Sequence, residues 1–241
     1  MNLRTSFALS LFSCLTAMPA FALELESKPT RTHLLELYTS EGCSSCPPAE
    51  AWLSKLKTQP RLWQDFVPVA FHVDYWDRLG WRDPFAAKAW TARQYAYSAR
   101  WQSSSVYTPG FVLDGREWRE SLPNASNETV GVLKLAIDNG ETVHASFRPA
   151  DGKMRPLDVY VARLGFDINS NVKAGENSGR NLRHDFVILA LATEKMAAGQ
   201  AELRLPPPSP APPANARAAV IAWVTEPGQI EPLQAVGGWL Q

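Results

Sequence analysis

The chain has 241 residues, 45% hydrophobic and 20% charged, which is enough for one large or two small packed cores and too apolar for a disordered chain. Lys+Arg and Asp+Glu balance at 24 each, so no excess of positive charge draws the chain to nucleic acid or anionic lipid. Three cysteines are too few for a disulfide scaffold, and the close spacing of Cys43 and Cys46 points to a site instead.

Taken in chain order, Arg4 precedes the apolar run Phe7 to Ala17, and Pro19 and Ala20-Phe21-Ala22 follow. This pattern is that of a secretory signal peptide cut after Ala22, and it places the mature chain in the periplasm or outside the cell. Cys14 is the alternative reading as a lipid acceptor, against which the short preceding run and the bulky Phe12 both speak. No stretch reaches the roughly 20 apolar residues of a membrane span. After processing only Cys43 and Cys46 remain, in a compartment where a disulfide persists.

His33 to Thr39 is short and apolar and reads as a buried strand. Pro47-Pro48 opens a helix with Ala49, Trp52, Leu53 and Leu56 on one face, since a first-turn proline has no N–H bond to lose. Phe66 to Asp74 is a second strand, and Asp83-Pro84 caps a long helix to about Trp101, with Ala86, Trp90, Tyr97 and Trp101 facing the core. Phe111-Val112-Leu113, the turn Asp114-Gly115 and a strand from Arg116 form a hairpin. A helix is expected over Asn127 to Asp138, stopped at Gly140, with Asn124 and Asn127 as capping residues rather than glycosylation acceptors. Residues 30–140 therefore read βαβαββα, an α/β domain with a parallel core.

Beyond Gly140 the strands Val143–Phe147, Leu157–Leu164, Phe186–Ala192 and Ala218–Thr225 are expected without helices between them, so 141–241 reads as a β-rich region. A turn at Glu226-Pro227-Gly228-Gln229 leads to a last strand, Ile230 to Val236. The proline-rich run 206–213 reads as an extended loop.

The chemistry gathers at Cys43-Ser44-Ser45-Cys46, between a strand and a helix N-terminus. There the dipole lowers a thiol pKa, which makes exposed Cys43 the nucleophile and shielded Cys46 the resolving thiol. An inert disulfide and half of a zinc site are the bland alternatives; no second CxxC or His pair supports zinc. His72, Asp74 and Trp76 alternate along the second strand and share a face, with Tyr75 and Asp77 on the other, near the strand ends where ligands gather. His72 serves there as a proton shuttle or soft-metal ligand, or simply as a hydrogen-bonded strand residue. Seven of the nine tryptophans lie between Trp52 and Trp118, mostly for packing, and Gly175 to Arg180 reads as a long loop reaching over the site.

The order strand, CxxC, helix, strand, helix, Thr-Pro and hairpin resembles the thioredoxin fold, in which a cis proline faces the redox cysteines. Glu36 to Ala49, His72 to Asp77, Val106 to Pro109 and Gly175 to Arg180 resemble more closely an exported bacterial thioredoxin-like family of unknown function, over most of the mature chain. The resemblance implies a thioredoxin-like domain over 30–140, a cis Pro109 beside the dithiol and lining by Thr108. By ungapped count the buried acid of thioredoxins falls on Leu37, with Glu36 one residue away. Gly42 stands where a tryptophan is usual, and Ser44-Ser45 replaces a pair containing proline. The expected function is an exported thiol–disulfide oxidoreductase acting on protein or small-molecule thiols without a cofactor. The rivals are a Cu(I)-binding protein using Cys43, Cys46 and His72, and a non-catalytic interaction module.

Overall fold

The computed structural model describes residues 23–119, 122–138, 141–213 and 216–240; the expected signal peptide, residues 1–22, lies outside the described residues. In chain order the elements are β1 (Leu23–Glu26), β2 (His33–Thr39), α1 (Pro47–Ser54), β3 (Phe66–His72), α2 (Lys88–Arg100), β4 (Gly110–Leu113) and β5 (Arg116–Trp118). There follow β6 (Gly131–Asp138), β7 (Thr142–Pro149), β8 (Leu157–Gly165), β9 (Ile168–Asn171), β10 (Asn181–His184), β11 (Val187–Met196), β12 (Gln200–Arg204), β13 (Ala218–Thr225) and β14 (Gln234–Trp239). No helix among the described residues is long and apolar enough to cross a membrane.

Three sheets carry these strands: an eight-stranded sheet of order β14-β13-β8-β11-β3-β2-β4-β5, a four-stranded sheet β1-β6-β7-β12, and the pair β9-β10. The expected α/β βαβαββα thioredoxin-like domain is corrected by this architecture, which is mostly β with two short α-helices among the described residues. The helix expected over Asn127 to Asp138 is instead β6, whose buried Leu133, Leu135 and Ile137 recur every second residue. That period belongs to a strand with one face in the core. β6 pairs along its length with β7 and on its other edge with β1, so Asn124 and Asn127 cap nothing. The large sheet also takes strands from both sides of residue 140, because β3 pairs in parallel with β11 at Ala70 and Val187.

Alternation explains how the layers stack. In β8, Leu157, Val159 and Val161 enter a core shared with Leu133, Leu135, Ile137 and Phe147 of the small sheet. Ala162 and Leu164 face the opposite core, with Phe71, Tyr97 and Trp223. β13 divides likewise, Val220, Ala222 and Val224 to one side and Ala219, Ile221 and Trp223 to the other. A strand buried on both faces must be apolar at nearly every position, as β13 is, whereas β8 carries Asp158 and Arg163 at half-buried positions.

Around the CxxC, β2 and β3 run parallel in the register Thr39↔His72, and α1 connects them. The hairpin is as expected, with Leu113 opposite Arg116 and both Asp114 and Gly115 at positive φ (47° and 85°), the conformation of a tight two-residue turn. The second helix starts later than expected, at Lys88 after an extended Ala87, and Asp83 instead closes a separate turn by accepting the Phe85 N–H. The last strand is shifted to β14, after the expected turn in which the Gln229 N–H donates to the Glu226 carbonyl. Described residues of the proline-rich run form no strand or helix.

Candidate functional site

Cys43 and Cys46 form a disulfide with Cα atoms 5.5 Å apart. Cys46 is the N-cap of α1, and its carbonyl accepts the N–H groups of Ala49 and Glu50 at 2.9 and 3.1 Å. Because Pro47 and Pro48 have no N–H and the next two donors are occupied, the first turn offers Cys43 its dipole but no free donor, contrary to the sequence expectation. The polar neighbour of the Cys43 Sγ is the Ser45 hydroxyl at 3.3 Å. Nor is Cys43 the exposed sulfur expected of it: both cysteines are fully buried, whereas Ser44 and Ser45 are exposed.

Two segments hold this loop. From one side comes the loop Gly175 to Arg180, as its composition suggested. The Asn177 amide donates to the carbonyls of Glu41 and Cys43, both at 2.9 Å, and Arg180 orients Asn177 through its Oδ1 at 2.8 Å. Glu176 accepts the Ser44 N–H at 2.9 Å. From the other side Trp76 packs so closely that a Cβ on Gly42 would lie 2.8 Å from its own Cβ. Any residue larger than glycine is excluded here because the Trp76 Cβ and carbonyl oxygen occupy that space. Trp76 Nε1 also donates to Thr108 Oγ1 at 2.8 Å, and the Thr108–Pro109 bond is cis.

The face-sharing expected of His72, Asp74 and Trp76 ends with β3 at His72, after which the chain turns. Asp74 accepts from Thr91 Oγ1 at 2.6 Å and so anchors the first turns of α2. The Tyr75 hydroxyl reaches Gln94, and burial pushes its pKa up to about 12. Glu36 lies away from the CxxC loop, fully buried in a two-point ion pair with Arg93 at 2.7 and 2.9 Å. The Tyr97 and Tyr38 hydroxyls also donate to it, at 2.5 and 2.9 Å. The Arg93 guanidinium lies 5.4–5.9 Å from the ring centres of Phe71, Tyr97, Tyr160 and Trp223, a cation in an aromatic cage. Glu36 is thus a residue that ties α2 to the sheet, not an acid beside the dithiol.

The acids that flank the CxxC are Glu41, two residues before Cys43, and Glu50, on the first turn of α1. Both are buried, and His184, at the end of β10, lies between them. Its Nδ1 is 2.6 Å from Glu50 and its Nε2 2.9 Å from Glu41, so both ring nitrogens donate and the ring is an imidazolium. Burial opposes that charge, but the two carboxylates outweigh it and push the His184 pKa up to about 10. Burial likewise opposes ionisation of Glu50, and His184 outweighs it, holding the carboxyl below its ordinary value. Thr39 Oγ1 donates to Glu50 at 2.6 Å and Trp81 Nε1 to Glu41 at 2.6 Å.

His72 completes the cluster. Its Nδ1 is 2.8 Å from Asp83, whose carboxylate also accepts the N–H groups of Glu41 and Phe85 at 2.8 and 2.9 Å. The His72 and His184 ring centres are 5.1 Å apart, and one donor atom from each of Glu50, His72 and His184 lies within 4.8 Å of the others. The sequence signals for the missed residues were faint: Glu50 shares a helical face with Leu53, and His184 alternates with buried Leu182. Each looks like a core position holding a charge, and only the fold brings them together.

The chain is similar to solved structures at low identity. Protein AGR_C_4864 from Agrobacterium tumefaciens matches over 88% of this chain and 95% of its own, with 24% identity and a TM-score of 0.56. HBP35 of Porphyromonas gingivalis matches over 89% and 76%, with 13% identity and a TM-score of 0.54. At these identities the likeness extends to the fold alone. No curated protein matches the chain. The profile of a family described as proteins of unknown function, DUF1223, matches residues 34–225, and the chain belongs to that family.

Proposed function

We propose that this protein is an exported thiol–disulfide oxidoreductase in which Cys43 and Cys46 are the reacting pair. The observation that carries the reading is the closed Cys43–Cys46 bond across the N-terminus of α1, gripped by Asn177 on one side and Trp76 on the other. In the reduced form the Cys43 thiolate attacks a substrate disulfide and forms a mixed disulfide as one substrate thiolate leaves. The Cys46 thiolate then attacks Cys43 Sγ, the intramolecular bond closes, and the second substrate thiolate leaves. Two electrons pass from the dithiol to the substrate; the reverse sequence oxidises a substrate dithiol. Ser45, in contact with Cys43, is placed to donate to its thiolate. In this reading Trp76, packed on Gly42 and bonded to Thr108 beside the cis Thr108–Pro109 peptide, lines the site together with Thr108, Pro109 and Tyr75. Full burial of both sulfurs makes that loop the determinant of access, so the expected substrates are those able to displace it.

The Cu(I) reading has less support, because His72 gathers with Glu50 and His184 rather than with the cysteines. The test of the redox reading is equilibration with glutathione, together with Cys46→Ser, which should trap mixed disulfides through Cys43 where Cys43→Ser traps few. Failure of Cys46→Ser to trap any adduct, with Cys43 alkylated at an ordinary thiol pKa near 8.5, would overturn the reading.

A further inference from the structure

His72 Nε2 is a buried nitrogen with no hydrogen-bond partner, on a residue only 1% exposed. Leaving such a group unpaired is unfavourable. Its other nitrogen is committed to Asp83, so Nε2 is the free donor that His72 offers to the group it forms with Glu50 and His184. This cluster has the outer shell of a metal site: one nitrogen of His72 is held by Asp83 and one nitrogen of His184, Nε2, by Glu41. The carboxylates are themselves fixed, Asp83 by two backbone N–H groups and Glu41 by Trp81, while Thr39 orients Glu50. Carboxylate-held imidazoles of this kind orient metal-binding nitrogens and raise their basicity.

We propose that Glu50, His72 and His184 bind a divalent transition-metal ion of the Zn2+ class, through the Glu50 carboxylate, His72 Nε2 and His184 Nδ1. Two imidazoles and a carboxylate suit such an ion, and three protein ligands leave a fourth position open. On entry the ion replaces the proton shared between His184 Nδ1 and Glu50, and one proton is released. The excess of carboxylates, Glu41, Glu50 and Asp83, complements the charge gained. Glu50 also lines a groove of about 460 Å³ with Pro47, Arg180, Leu182 and Asp185, so one of the three ligands borders a cavity. The inference is independent of the redox reading, since no cysteine is a ligand.

The test uses the purified chain with its disulfide intact, stripped by a chelator and titrated with Zn2+ by calorimetry and with Co2+ by visible absorption. The expected result is one ion per chain and cobalt d–d bands without a thiolate charge-transfer band. His72→Ala should weaken binding by about tenfold or more, and Asp83→Asn by about 10–100-fold. Should His72→Ala not fold, Asp83→Asn decides alone. The double variant Cys43→Ser with Cys46→Ser should bind as the parent does. Absence of saturable binding to the parent chain, binding indifferent to the His72 and Asp83 variants, or binding lost with the cysteines would overturn the proposal.

Discussion

The two cores flanking β8 and β13 are built on opposite principles. Between the sheets the contacts are apolar throughout, as with Leu135, Phe147, Val159 and Val220. The other layer, around β2, β3 and the helices, buries Glu36, Glu41, Glu50, His72, Asp83 and His184 among its aromatics. Apolar packing is non-directional and tolerates rearrangement, whereas a buried charge is stable only beside particular partners. The first layer therefore supplies stability and the second fixes geometry, and substitutions should separate the two.

The largest effect is expected from Glu36→Ala, which leaves Arg93 charged, buried and unpaired; loss of stability in urea should be about 3–5 kcal/mol. Replacing the pair together, Glu36→Leu with Arg93→Met, should recover part of that loss but not all, since the Tyr38 hydroxyl also loses its acceptor. A double variant no more stable than Glu36→Ala would contradict the directional account. Leu135→Ala, on the apolar side, should cost about 2–5 kcal/mol by opening a cavity, while leaving the rate of disulfide reduction unchanged. If that rate changes as well, the two layers are not separate.

Gln234 stands where the layers meet. Its amide nitrogen donates to the carbonyls of Lys28, Thr30 and Gly131, and its oxygen accepts the Thr32 N–H at 2.7 Å. Gln234→Ala should cost about 1–3 kcal/mol for groups left unpaired, measured as a lowered urea midpoint. Asn177→Ala removes two hydrogen bonds holding the CxxC loop. It should speed reduction of the Cys43–Cys46 bond by a small thiol about tenfold, at a stability cost of about 1–3 kcal/mol for the carbonyls left unpaired.

The smallest effect concerns His33, whose Nδ1 lies 2.5 Å from Asp114 at the hairpin turn. Burial lowers its pKa, but the Asp114 carboxylate more than compensates and the net value is raised above 6.5. A raised pKa means that the imidazolium contributes its full stabilisation below about 6.5 and loses it as pH rises through the folded value. His33→Gln should accordingly flatten the decline in stability on the alkaline side of pH 6.5, seen in urea midpoints across that range.

The sequence by itself determined the elements whose signals are local. The Asp114-Gly115 turn has its own backbone chemistry, β13 is apolar on both faces, and the CxxC lies between a strand and two first-turn prolines. Gly131 to Asp138 alternates over only eight residues, too few to outweigh the flanking turn and cap signals that point to a helix there. The α/β reading rests on strands joined through helices in 30–140, and it fails because the strands from β6 onward, with the sheets they build, outweigh the two helices α1 and α2. Tertiary structure alone decided that Glu36 pairs with Arg93, 57 residues away, and that His184 lies between Glu41 and Glu50, 143 and 134 residues distant. Charge pairing in a core depends on which elements meet, and that is set by sheet order, in which β3 takes β11 as a parallel neighbour. Local patterns carry no record of that order, because the same alternation of apolar residues satisfies either edge of a strand.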